Sequence, residues 1–158
     1  MNTIITNKVQ LTPKELFKIY LSRYIKRRWW LYALIFIAVI FLAIDGIEDS
    51  LDIFVVVFGI AYPILLCIQL WRHVKSKKNK IIFLERHFEI DDNKICGIID
   101  ADTYSPIKLE HFVKVEIVRN TYLLFISKNQ FLYIPFDAFQ NASDKDIFEN
   151  EIITRIGK

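Results

Sequence analysis

The sequence is poor in the residues that mark catalytic loops, metal sites and disulfide frameworks. Its 158 residues include four glycines, four prolines, two cysteines and three histidines. No P-loop, GxGxxG or GxSxG motif occurs among them. Cys67 and Cys96 are far apart and belong to no CxxC or Cys/His pattern, which excludes a disulfide framework and a zinc site. We therefore expect no cofactor and no metal.

The remaining candidates for chemistry are isolated. His73, His87 and His111 show no i, i+4 spacing and no HExxH motif. The close acid pairs of the second half, 91–92 and 100/102, lie in predicted loops, where acids are commonly solvated turn residues. The sequence thus predicts no catalytic residue and no enzymatic activity.

Charge is absent from two long apolar runs, residues 29–44 and 53–71, which contain 16 and 19 residues. A helix in a soluble core would show a polar stripe with a period of 3.6 residues, and neither run shows one. Nineteen residues make a helix of about 28 Å, close to the thickness of a bilayer core. We predict a hairpin of two transmembrane helices, 29–47 and 52–71, joined by a short acidic outside loop.

The flanking charges predict the orientation of this hairpin. Residues 1–80 hold 12 Lys or Arg and five Asp or Glu, whereas residues 81–158 hold nine and 13. Basic clusters precede and follow the hairpin, while its loop has four acids and no base. The positive-inside rule then places both termini in the cytoplasm. The protein is thus predicted to be a multi-pass protein of the bacterial inner membrane. The predicted anchors at the cytoplasmic membrane interface are Trp29, Trp30, Trp71, Arg27, Arg28 and Arg72.

Residues 1–28 are predicted to form a strand and an amphipathic basic helix. Residues 3–11 alternate weakly, and 12–15 (TPKE) have the pattern of a capping box with proline at the first helical position. The apolar face of this helix, with Phe17 and Tyr20, either rests on the anionic inner leaflet or packs on the soluble domain. Residues 72–80 form a basic linker.

From residue 81 onward, short alternating runs predict a small cytoplasmic domain, 81–158. Its last element is a helix that starts at Ser143 and carries an apolar stripe with Phe148 and Ile152. The fold class is therefore a membrane α-helical hairpin plus an α+β, mainly antiparallel β, PH-like domain with a C-terminal helix. The predicted strands are 81–90, 95–99, 104–109, 112–119, 122–127 and 131–135.

Several segments resemble the YcxB-like family. They are FEIDD at 88–92, the 108–116 stretch, YLLFISKNQFLYIPFDAF at 122–139, and LTPKE at 11–15. The resemblance implies two transmembrane helices and a small C-terminal YcxB-like domain of PH-like character. It implies no biochemical activity.

These features favour a binding or regulatory module on a membrane anchor. The expected partners are the lipid bilayer and either a protein or anionic lipid headgroups at the cytoplasmic face, with no nucleic acid. The alternative is an immunity-type protein that protects its cell from a membrane-active toxin. An enzyme and a pore-forming oligomer are weaker hypotheses, and the sequence leaves the oligomeric state open.

Overall fold

The computed structural model describes residues 3–46, 49–128 and 130–157, apart from the side chains of Ala43, Asp45 and Lys78. The chain forms two compact units. One unit combines the chain up to Leu11 with the chain from Ile81 onward, and the other is Thr12–Lys80. Ile47, the predicted end of the first membrane helix, and Glu48 of the acidic loop lie outside the described residues.

The helical unit begins at the predicted capping box. Thr12 accepts a hydrogen bond from the backbone N–H of Glu15, whose carboxylate accepts the N–H of Thr12 at 2.8 Å. Helix α1 then runs over Pro13–Asp45, so the predicted amphipathic helix and the first apolar run form one element. Its one non-helical residue is Arg28, with φ −123° and ψ 21°.

Helix α2, Ser50–Val74, packs on α1. Asp49 caps it by accepting the N–H groups of Leu51 and Asp52. A Cβ at Gly59 would lie 3.1 Å from Ile35 Cγ2, so a larger residue there would require the Ile35 side chain to shift by a few tenths of an ångström. Pro63 lies inside the helix. Within the described residues, α2 is the helix whose length and hydropathy suit a membrane crossing. That two helices cross stays a prediction.

The first sheet of the other unit has four antiparallel strands in the order β1-β2-β3-β4. The prediction of a strand from residue 81 is wrong at its start, because a 3₁₀ helix covers Lys77–Phe83. An apolar run alone does not separate strand from helix. The strands are β1 (Ile4–Ile5), β2 (His87–Ile90), β3 (Lys94–Ile98) and β4 (Tyr104–Lys108).

The second sheet has three antiparallel strands in sequence order, β5 (Lys114–Ile117), β6 (Thr121–Phe125) and β7 (Phe131–Pro135). Arg119 and Asn120, with φ of 50° and 59°, form the two-residue turn between β5 and β6. Positive φ at both positions is the requirement of a type I′ hairpin. Asn129, between the predicted strands 122–127 and 131–135, lies outside the described residues.

The C-terminal helix starts two residues before its predicted cap. Asn141, not Ser143, accepts the N–H of Asp144 at 2.7 Å and begins α3, Ala142–Ile147. A π-helical turn, Phe148–Ile152, and a 3₁₀ turn, Ile153–Arg155, continue it. The predicted apolar stripe is confirmed, since Phe148 and Ile152 are fully buried in the core.

The core of this unit combines aliphatic and aromatic side chains. The Tyr122 ring lies 4.5 Å from that of Phe136 and 5.2 Å from that of Phe148. Phe88 and Phe112 are also buried in it. The fold class of helices, antiparallel sheets and a C-terminal helix is confirmed at this level, with two sheets in place of one meander.

Candidate functional site

The N-terminal strand belongs to the β unit although the helical unit separates it from its partner in sequence. Ile4 lies opposite Ile90 and Ile5 opposite Glu89. Val9 and Arg86 exchange two backbone hydrogen bonds, of 2.7 and 2.9 Å. The chain therefore leaves the sheet after Val9 and re-enters it at Arg86, so that the helices are an insertion between two paired strands.

Thr6 joins the chain that precedes the hairpin to the strand that follows it. It is 3% exposed, and its hydroxyl accepts the backbone N–H of Phe88 at 2.8 Å. Its own N–H donates to Phe88 O at 2.9 Å. The next residue, Asn7, donates its N–H to Ala138 O at 2.7 Å. These bonds fix both ends of the hairpin on the same domain.

The six predicted interface anchors do not lie at one level of the hairpin. Trp71 packs edge-on against Phe17 with ring centroids 5.5 Å apart, and Lys75 Nζ lies 4.8 Å from the centroid of the Trp71 ring. Trp29 follows Phe17 by twelve residues of the same helix, a distance of about 18 Å. Arg72 belongs to the level of Trp71, whereas Arg27 and Trp30 belong to that of Trp29.

Arg28 lies at a polar contact inside the hairpin. Its guanidinium donates to the Tyr24 hydroxyl at 3.2 Å, and the hydroxyl oxygens of Tyr24 and Tyr62 are 2.5 Å apart. Tyr62 is in the middle of α2 and also contacts Tyr32 across the hairpin. The break in α1 thus coincides with the point where its basic part ends and its apolar run begins.

The basic part of α1 contacts α2. Phe17 touches Trp71, and the rings of Tyr20 and His73 lie 5.7 Å apart. The aromatic side chains of Phe17 and Tyr20 thus face the second helix of their own hairpin, and the two predicted placements of the segment, on the leaflet or on the soluble domain, stay predictions.

Asp91 and Asp100, from the two close acid pairs, make hydrogen bonds within or next to loops. Asp91 accepts the Thr3 hydroxyl at 2.9 Å and lies 3.8 Å from Lys94 Nζ. Asp100 accepts the N–H of Asp102, and the hydrogen bond from Thr103 lowers the pKa of its carboxyl. Among the described residues, no three His, Cys, Asp or Glu side chains gather as a metal site would require.

A partly exposed polar cluster in the β unit was not predicted. The Tyr122 hydroxyl donates to the Glu149 carboxylate, and Lys145 Nζ lies 3.6 Å from the same carboxylate. Lys145 also lies over the Phe136 ring, 4.4 Å from its centroid. Burial, and then Glu149, raise the pKa of Tyr122 far above its ordinary value. The hydrogen bond from Tyr122 lowers the pKa of Glu149.

The comparison with protein families identifies the C-terminal part of the chain. Residues 90–152 match the family described as YcxB-like protein. Residues 90–152 are therefore similar to the YcxB-like family, and the resemblance seen in the sequence is confirmed for this part of the chain. The match begins at the end of β2 and ends in the π-helical turn, so it does not cover the helical unit. Searches of curated proteins and of solved structures found no match.

Proposed function

We propose that the protein is a bacterial inner-membrane protein whose helical hairpin holds a PH-like binding module at the cytoplasmic face. The observation that carries the proposal is the pairing of β1 with β2. Two paired strands lie on the same side of any membrane, so a membrane-embedded insertion between them crosses it an even number of times. Helices α1 and α2, joined by a short loop, supply two crossings.

Two further features support this placement. The apolar runs of both helices carry no charge, and α2 has the length and hydropathy of a membrane helix. The basic residues lie at the ends of the hairpin that join the β unit, while the acids lie in its loop. By the positive-inside rule, the β unit is then cytoplasmic.

The PH-like character rests on topology. In the described residues, a four-stranded and a three-stranded antiparallel sheet are followed by a C-terminal helix, which supports a PH-like plan. Here the first strand is contributed from before the hairpin. Since a fold does not specify an activity, the absence of a catalytic motif from the sequence is what favours binding over catalysis.

The charge of the module favours a protein partner over anionic headgroups. Residues 81–158 carry four more acids than bases, which an anionic leaflet would repel. The test is affinity purification of the full-length protein from native membranes in mild detergent, with mass spectrometry. We expect one stoichiometric protein. In parallel, limited proteolysis of the protein reconstituted into neutral and phosphatidylglycerol-rich vesicles reports whether anionic headgroups protect the module. No partner and no anionic-lipid effect on the module would refute the proposal.

A further inference from the structure

The contact between Arg28 and two tyrosines of the hairpin has more hydrogen-bond donors than acceptors. The Arg28 guanidinium donates to the Tyr24 hydroxyl at 3.2 Å and also interacts with the Tyr62 hydroxyl. One N–H for each hydroxyl leaves three of the five N–H groups of a guanidinium for other acceptors. Tyr24 and Tyr62 share one hydrogen bond, so only one of their two hydroxyl protons lies between them. The cluster therefore offers a positive charge, N–H donors and one O–H donor.

No acid whose side chain the structure describes in the helical unit pairs with this cluster. The unit contains five acids, and four of them lie in the segment 45–52, at the loop end of the hairpin. Glu15 precedes Arg28 by 13 residues of α1, about 20 Å, and Asp52 precedes Tyr62 by ten residues of α2, about 15 Å. Arg28 is also exposed. Its charge is thus open to an anion from outside the helical unit.

The length of α1 places Arg28 near the inner edge of the proposed bilayer core. From Arg28 to Asp45, the last residue of α1, the helix measures about 26 Å. The apolar core of a bilayer is about 30 Å thick, so with the acidic loop at the outer face the guanidinium lies a few ångströms inside the inner edge. A charge at this depth is unfavourable unless headgroups or water reach it. Phospholipid phosphates are the anions nearest to this level.

We propose that Arg28, Tyr24 and Tyr62 bind the phosphate of one phospholipid of the inner leaflet. The planar fork of the guanidinium matches two phosphate oxygens, and the remaining hydroxyl proton can bond to either of them. The next residues of α1, Trp29 and Trp30, are exposed, and tryptophan rings favour the headgroup level. The site rests on the proposed membrane placement of the hairpin and is independent of any partner of the PH-like module.

Native mass spectrometry of the full-length protein, released from detergent micelles, measures this binding. Titration with phosphatidylglycerol is expected to give one tightly held lipid. Diacylglycerol with the same chains lacks the phosphate and is expected to leave no adduct. Inorganic phosphate at millimolar concentration is expected not to displace the lipid. Displacement would show that the site takes the free anion and would overturn the assignment to a phospholipid.

Two variants and their matched controls locate the site. Arg28→Gln is expected to weaken the apparent affinity for phosphatidylglycerol by about tenfold or more, because charge-assisted hydrogen bonds are lost. Arg27→Gln removes the same charge from the adjacent residue, outside the cluster, and is expected to have an effect of less than about twofold. Tyr62→Phe removes a hydroxyl without changing the charge, and we expect a loss of about fivefold. Its control is Tyr32→Phe, whose ring lies beside that of Tyr62.

Circular dichroism checks that all four variants keep their helices. Equal affinities of wild type and Arg28→Gln, equal losses in Arg28→Gln and Arg27→Gln, or equal retention of diacylglycerol and phosphatidylglycerol would overturn the site. Alkaline extraction of native membranes separates this outcome from a failure of the proposed function. Release of the wild-type protein would refute the membrane placement, whereas a protein that stays in the membrane but holds no phospholipid would overturn this site alone.

Discussion

At the scale of single residues, Thr6 is expected to contribute strongly to the stability of the β unit. Its hydroxyl is the acceptor for a buried backbone N–H, that of Phe88, on a strand that lies far along the chain. Replacing Thr6 by valine keeps the shape but leaves this N–H without its partner. We expect the free energy of unfolding to fall by about 1–3 kcal/mol.

The matched control for this prediction is Thr3→Val. Thr3 is exposed, and its hydroxyl bonds to the side chain of Asp91 on the surface. Surface changes of this kind usually alter stability by less than about 0.5 kcal/mol. Urea unfolding, followed by circular dichroism, compares the two variants. Equal losses would mean that the Thr6 hydrogen bond does not hold β1 in place.

The Tyr122–Glu149 pair predicts a specific pH dependence. The folded pKa of Tyr122 is raised, so its contribution is complete below pH 10 and is lost as the pH rises through the folded value. The folded pKa of Glu149 is lowered, so its contribution is present above about pH 4.5 and is lost as the pH falls through the folded value.

Tyr122→Phe removes the dependence due to Tyr122 and the larger part of that due to Glu149, whose pKa Lys145 still lowers. We expect the unfolding midpoint of the variant to be lower than that of wild type between about pH 5 and 10, and the difference to shrink outside this range. Tyr104→Phe is the control, because Tyr104 is exposed. Thermal unfolding across the pH range measures both variants. A difference that does not change with pH would contradict the account of this pair.

At the scale of elements, the hairpin places its tryptophans at two depths. Trp71 contacts Phe17, while Trp29 lies about 18 Å further along α1. Two single-tryptophan variants test these positions by fluorescence quenching in vesicles that contain brominated lipids. One keeps Trp71 alone and the other keeps Trp29 alone, with phenylalanine at the remaining tryptophans. We expect the bromine depth that quenches best to differ between them, whereas one interfacial belt would give equal depths.

The elements also show what the sequence can predict. The strands from Lys94 onward follow from alternation and turn residues, and the capping box at Thr12 follows from its spacing. The sequence predicts a strand from Ile81, but this segment begins in a 3₁₀ helix. Its apolar run has no decisive period, so the pattern does not separate a strand from a helix.

Contacts between residues that lie far apart along the chain could not be predicted from the sequence. The pairing of Ile4 with Ile90 spans the whole helical unit, and the bond of Tyr122 to Glu149 joins a strand to the last helix. Neither contact leaves a local pattern in the sequence, because each depends on how two separate elements pack. The levels of Trp29 and Trp71 along the hairpin likewise depend on how α1 packs on α2, and the place of these residues at the membrane interface stays a prediction.

At the scale of the whole molecule, the central claim is that a membrane hairpin interrupts a single folded domain. The domain gives its first strand before the hairpin and the others after it, so the two chain segments must reach the same side of the membrane to pair. In the proposed arrangement, membrane insertion and domain folding are coupled, and an anchor with an odd number of crossings would leave β2 without β1.

Cysteine labelling in intact cells tests this claim most directly. Cys67 and Cys96 are first replaced by alanine, and single cysteines are then placed at Lys8, Ser50 and Asp92. A membrane-impermeant maleimide is expected to label Ser50→Cys in intact cells, and Lys8→Cys and Asp92→Cys only after the inner membrane is permeabilised. Labelling of position 8 and position 92 from opposite sides, or of all three from one side, would contradict the account.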